Sequence, residues 1–224
     1  MNPNNTPYTS SQLIKEEKHQ GYSVLTSKGD LAQVQMDAAI SVIEGFVQWH
    51  PRTLAIRVDL RYPSSYSLEA QCCRGAMRSF FESLKSQIAA ERQRATKKST
   101  IQRAHDTKIG YIWAREYGQQ SHRPHFHVVI LLNRDTYRAL GKTDIQCDNL
   151  YSRIVKSWAR TLGIRPEEAV GLVHIPNNAI YRVNESEPET IHVLITRTSY
   201  LCKLETKKFS NGERTFGTSR ALKI

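Results

Sequence analysis

The chain has 224 residues, 39% apolar and 24% charged, with 32 lysines and arginines against 21 acids and a net charge of +11. That length supports one substantial core, the composition excludes disorder throughout, and no apolar run approaches the roughly 18 residues of a membrane span. The cationic excess points to a polyanion as partner, or more plainly to a surface charged for solubility.

Nucleic acid is favoured over a membrane surface, because there is no basic amphipathic helix with a bulky aromatic face and no lipidation motif. Cys72, Cys73, Cys147 and Cys202 form no C-x-x-C pair. The first 11 residues lack a charged segment followed by an apolar one, so a reduced, cytoplasmic setting is expected, with the cysteines as small core residues.

Residues 1–29 are polar and read as a partly disordered tail with at most a short helix at 12–19. Asp30 and Gln33 have capping-box spacing, and the apolar face from Leu31 to Trp49 predicts an accessory helix over 30–50. Residues 54–61 alternate Leu54, Ile56, Val58 and Leu60 with Ala55, Arg57, Asp59 and Arg61, the pattern of a strand with one apolar and one charged face. Ser67 is placed to cap a helix whose apolar positions run from Leu68 through Cys72, Cys73, Phe80 and Leu84 to Ile88.

Residues 92–108 carry Arg92, Arg94, Lys97, Lys98, Arg103 and Lys108 with Asp106 as the one acid. This is a basic loop or frayed helix end, suited equally to a phosphate-contacting arm and to a solvated linker. Two β-prone runs, 109–116 and 125–132, flank the turn-rich 117–124 and predict an antiparallel hairpin. Asp144 is placed to cap a helix ending at Gly163, and short strands are expected at 171–175 and 179–183. Ser186 and Glu189 form another capping-box pattern, opening a helix to about Lys207, although 191–198 is also β-prone. Residues 208–224 form a basic tail. The order predicts an α+β, ferredoxin-like sandwich: an antiparallel sheet of four to five strands with helices mainly on one face.

The chemistry concentrates in the hairpin. His125 and His127 lie two apart on a strand and project from one face, and Glu116 can lie opposite either across the hairpin. Two imidazoles and a carboxylate leave open positions on a divalent metal, which is a catalytic arrangement rather than a structural one. A bare His-x-His on a strand is weak alone; the nine-residue spacing to Glu116 and the apolar run 128–132 strengthen it. On the final helix Tyr200, Lys203 and Lys207 share a face, a phenol flanked by two ammonium groups. Asp59 is expected to pair with Arg57 or Arg61, with a place near the metal the alternative, and His122 to sit exposed in the turn, with a contact to metal or DNA the alternative. Tyr111, Trp113 and Tyr117 are placed to stack unpaired bases, with a core position the alternative for Trp113.

These residues resemble the HUH endonucleases, through Pro124-His125-Phe126-His127, Arg115-Glu116-Tyr117-Gly118 and Tyr200-x-x-Lys203. Within that superfamily the short chain and the strand Arg57-Val58-Asp59-Leu60 look like the inovirus replication-initiator group with its YagK/YfjJ-type prophage members. The resemblance covers roughly 54–207 and implies an endonuclease-like domain over 51–207, outside the first 50 residues. It implies that His125, His127 and Glu116 bind Mg²⁺ or Mn²⁺ and that Tyr200 attacks a scissile phosphate beside Lys203. The partners would be single-stranded DNA or a DNA hairpin at a replication origin, with a host helicase or polymerase, since no P-loop motif is present. Arg57, Arg92, Arg94, Lys97, Lys98, Arg103 and Lys207 are the candidate DNA contacts. A catalytically inactive DNA-binding or regulatory protein of the same fold is the alternative. A two-His-one-carboxylate iron oxygenase shares the ligand set but leaves the basic surface and Tyr200 without a role.

Overall fold

In the computed structural model, residues 7–65, 75–98, 105–118, 122–209 and 214–222 are described. In chain order they form β1 (Leu13–Ile14), β2 (Lys18–His19), β3 (Tyr22–Ser23), β4 (Leu31–Ala32), α1 (Gln33–Trp49), β5 (Arg52–Arg61) and α2 (Ala76–Lys98). Then follow β6 (Gly110–Tyr117), β7 (Pro124–Asn133), α3 (Leu150–Leu162), α4 (Pro166–Ala169), β8 (Val173–His174), β9 (Ile180–Asn184), α5 (Pro188–Ser199) and β10 (Phe216–Thr218). The main sheet runs β10-β6-β7-β5, with β8 and β9 sharing the remaining edge of β5, and every pairing is antiparallel. The chain is thus α+β, as expected.

The two-residue period of the strands decides what lies above and below. Leu54, Ile56, Val58 and Leu60 of β5, with Phe126, Val128, Ile130 and Leu132 of β7, pack against α2 and α3. Ala55, Val129, Leu131, Ile112, Ala114 and Val183 face the opposite way, onto α1 and α5. The central strands are therefore apolar on both sides, and both sides must be covered. This corrects the expectation of four to five strands with helices mainly on one face: six strands lie between helices on both faces.

The expected accessory helix proves to be one of those layers. Phe46 of α1 is 1% exposed, and a Cβ added at Gly110 would lie 2.7 Å from its ring. Helix and strand meet there as closely as a missing side chain allows. Ile14 and Val24, in the expected tail, are buried in the same core, and Phe216–Thr218 adds an edge strand where a tail was expected.

Several boundaries also move. Leu31 and Ala32 pair with β1, so Ala32 rather than Asp30 precedes α1 and no capping box forms. The helix expected from Ser67 is described only from Ala76, and Ser67, Leu68, Cys72 and Cys73 lie outside the described residues. It runs to Lys98, because the Glu, Arg, Gln, Ala and Lys of its last turns are strong helix formers. Asn149, not Asp144, caps α3 by accepting from the Ser152 N–H, and Gly163 ends it at φ 69°. Glu187, not Ser186, precedes α5, and no side chain caps it. That helix stops at Ser199, whose hydroxyl bonds back to the Thr196 carbonyl. A 3-10 turn, Tyr200–Cys202, follows, and Lys203 is extended. Among the described residues no helix is long and apolar enough to cross a membrane.

Because Phe46 anchors one helical layer, Phe46→Ala is expected to cost about 3–5 kcal/mol, read as a lower urea midpoint. An unchanged midpoint would mean that α1 is dispensable to the fold.

Candidate metal and tyrosine site

The register of the three central strands builds the site. Glu116 of β6 lies opposite His125 of β7, Ala114 opposite His127, and Asp59 of β5 opposite His127 on the other side. Alternation turns all four functional side chains toward the α1 and α5 face. The ligand atoms of Glu116, His125 and His127 lie within 4.8 Å of one another. His125 Nε2 is 3.2 Å from His127 Nε2, which is 3.6 Å from Glu116 Oε2.

Asp59 pairs with Arg57 as expected, Nε standing 3.8 Å from its carboxylate, and it also lies beside the candidate metal ligands, where it accepts from His127 Nδ1 at 2.6 Å. Nδ1 thereby carries a proton, and Nε2 faces Glu116 and His125. Burial raises the Asp59 carboxyl, but the His127 hydrogen bond and charge and the Arg57 charge outweigh it and bring it down.

Glu116 is 2% exposed. Burial pushes its carboxyl up, yet the His127 ring, the Thr206 hydroxyl at 2.6 Å and the Lys203 ammonium at 3.3 Å win, and it falls to about 2. For His127, burial works against the charged form, and Asp59 and Glu116 overcome it, so its value is raised. Burial and then the charge of His127 lower His125. One imidazole is neutral, and the other is held between two carboxylates.

The second Glu116 oxygen, Oε1, is buried without a hydrogen-bond partner among the described residues. A buried carboxylate oxygen left in that state costs free energy unless a cation meets it. Two imidazole nitrogens and a carboxylate oxygen form a donor set compatible with a divalent ion. The residues present therefore fit the metal that the resemblance implies.

Tyr200 enters from the turn after α5. Its ring centroid is 5.9 Å from that of His127, and its hydroxyl accepts from Lys203 Nζ at 2.5 Å. Arg57 lies 5.4 Å from the same ring. Lys203 thus bridges the phenol to Glu116. A cleft of about 360 Å³ opens on the His pair, lined among others by Asp59, Arg61, Arg123 and Gly118.

The structure joins Glu116, His125, His127, Tyr200 and Lys203, with Arg57 beside them. It does not join Lys207. Because the helix ends before Tyr200, Lys207 is carried inward, 7% exposed, where Nζ donates to Gln35 Oε1 at 2.6 Å and the Leu201 carbonyl at 2.5 Å. Burial lowers its ammonium to about 8. Arg92, Arg94 and Lys97 ride the last turns of α2, where Glu91 accepts from Tyr137, just past the end of β7 remote from the His pair. Lys98 ends that helix, and Arg103 lies outside the described residues. His122 is exposed, as expected, at φ 52°. Thr206 had no sequence signal; only the fold carries it to Glu116.

The sequence profile of the YagK/YfjJ C-terminal domain matches residues 14–219. The chain belongs to that family. It is 34% identical to YagK of Escherichia coli K12 over 180 residues, 76% of this chain and 85% of YagK. It is 27% identical to YfjJ of the same strain over 201 residues, 86% of this chain and 96% of YfjJ. No solved structure matches significantly. The match begins at residue 14, so the family unit includes α1, the layer outside the span 54–207 first drawn from the motifs.

If Asp59 orients His127, Asp59→Asn weakens Mn²⁺ binding about 10–100-fold by calorimetry. Since Asp59 and Glu116 raise His127, and a protonated ring cannot ligate, wild-type affinity falls on acidification from a higher pH than for an ordinary histidine. In Asp59→Asn that onset moves to lower pH. Equal affinities and equal profiles would remove Asp59 from the site.

Proposed function

We propose that this protein is a metal-assisted nuclease of the HUH type that nicks and rejoins single-stranded DNA, in the manner of a rolling-circle replication initiator. In this reading the antiparallel sheet is the HUH sandwich, the protein acts in the cytoplasm, and the substrate is a single strand or hairpin at an origin. Unwinding falls to a host helicase. The observation that carries the reading is one continuous line of contacts: the Tyr200 phenol to Lys203, Lys203 to Glu116, Glu116 to His127, and His127 to His125.

Mg²⁺ or Mn²⁺ held by Glu116, His125 and His127 would supply positive charge to the scissile phosphate. The chain's own residues do the rest. Lys203 donates to the Tyr200 oxygen and fixes the phenol. Arg57 lies 5.4 Å from the ring. The phenol oxygen attacks phosphorus as its proton passes to solvent. The bond from phosphorus to the 3′ oxygen breaks, and that oxygen takes up a proton to leave a free 3′-hydroxyl and a 5′-phosphotyrosine. The covalent link keeps the energy of the broken bond, so a 3′-hydroxyl can attack in reverse and rejoin the strand. Asp59 meanwhile holds the His127 tautomer.

The test is a denaturing gel of end-labelled single-stranded DNA from the element's candidate origin, with Mn²⁺ or EDTA. The wild type is expected to give a metal-dependent product with protein on its 5′ end. Tyr200→Phe and His125→Ala are expected to give none while retaining salt-dependent binding. Binding without cleavage under every metal would overturn the nuclease reading in favour of a DNA-binding protein.

A further inference from the structure

The alternation that turns Glu116 toward α1 sends its neighbours the other way. Tyr111, Trp113 and Arg115 of β6 face α2, where a concavity of about 570 Å³ opens between that helix and the β6–β10 edge. Its floor is aromatic. Tyr111 stacks on Phe81 with centroids 3.7 Å apart and planes 12° apart, and Trp113 meets Phe126 edge-on at 5.8 Å. Both Tyr111 and Trp113 remain half-exposed. Trp113 lies across Gly217, where any Cβ would stand 2.7 Å from the indole, so the glycine lets the ring lie flat at the sheet edge.

A second concavity of about 550 Å³ shares Tyr111 and Lys85 with the first and continues toward the start of β6. Together they follow that strand for roughly 20 Å. The described cationic lining includes Arg78, Lys85 and Arg214, then Arg92, Lys108 and Arg220, against two acids, Glu82 and Asp106. Of these cations Arg92 is paired with Glu91 at 3.6 Å and the Lys108 ammonium lies 3.5 Å from the centre of the Trp49 ring, which leaves Lys85, Arg214 and Arg220 as the surplus. Glu82 is already bound to Arg78 at 2.8 Å. The Asp106 carboxylate accepts from the Thr107 N–H. Half-exposed rings interleaved with surplus cations along an extended groove match bases that stack and phosphates that pair.

We propose that this groove, on the face of the sheet opposite the His pair, binds a segment of single-stranded nucleic acid. Tyr111 and Trp113 take base faces, and Lys85 and Arg214 meet phosphates, with Arg220 extending the track. The choice of DNA rests on the nicking reading above; the groove's chemistry does not.

The probe is a fluorescein-labelled oligothymidylate of about 20 nucleotides, whose stacking requires no particular sequence, followed by anisotropy over a salt series. A Lys85→Glu/Arg214→Glu variant, altered at exposed positions, is expected to bind at least tenfold more weakly. The slope of log affinity against log salt should fall by about 2. Trp113→Leu and Tyr111→Ala are each expected to lose about tenfold in affinity. Ultraviolet cross-linking of a 5-iodouracil oligonucleotide should label the peptide spanning β6.

If the double variant binds and cross-links as the wild type does, the groove is not the site, while cleavage by the wild type would still stand. If it loses binding and the wild type never cleaves, the groove stands and the nuclease reading falls. Complete displacement by polyglutamate with no effect of Trp113→Leu would make the groove an acidic-peptide surface and overturn the proposal. So would a wild type that does not bind the oligonucleotide.

Discussion

The hydrogen bond between Asp59 and His127 crosses the two central strands of the sheet, where both side chains are almost wholly removed from water. A carboxylate and an imidazole cannot be left unpaired in that setting without a large desolvation cost. Each therefore fixes the other, and the pair fixes more than itself. With Nδ1 committed to Asp59, the other His127 nitrogen faces His125 and Glu116. Glu116 draws in Lys203 and Thr206 from the C-terminal segment, and Lys203 holds Tyr200. A buried polar network of this kind specifies one arrangement because each partial alternative leaves a charge stranded.

The same logic explains why α1 and the C-terminal turn belong to the domain. Thr206 and Lys203 can reach Glu116 only if the chain leaves α5 at Tyr200, and Lys207 then points inward to Gln35 of α1 and the Leu201 carbonyl. Lys203 is also bridged to Leu31 of β4, tying the N-terminal segment to the tyrosine turn. The layer made by α1 is thus part of what holds Tyr200, in keeping with a family match that starts at residue 14.

The hairpin was legible in the sequence because two β-prone runs flank a turn, and its strand period put Glu116, His125 and His127 on one face. The apolar faces of the remaining helices were legible for the same reason. What the period could not give was the partner of the opposite face. Val128 to Leu132 is apolar at every position, a sign of burial on both sides, but only tertiary packing shows which helices supply it. For Asp59 the local ion pair with Arg57 was visible in sequence and is present, whereas the shorter cross-strand bond to His127, 68 residues away, was not. Lys207 failed for a related reason: its helical spacing from Tyr200 assumed a helix that stops at Ser199.

A crystal of the protein grown with Mn²⁺, with data collected at the manganese edge, addresses the site itself. One anomalous peak bounded by Glu116, His125 Nε2 and His127 Nε2, with Asp59 still bonded to His127 Nδ1, is the expected result. No peak there, or a His127 ring turned away from Asp59, would contradict a preformed metal centre.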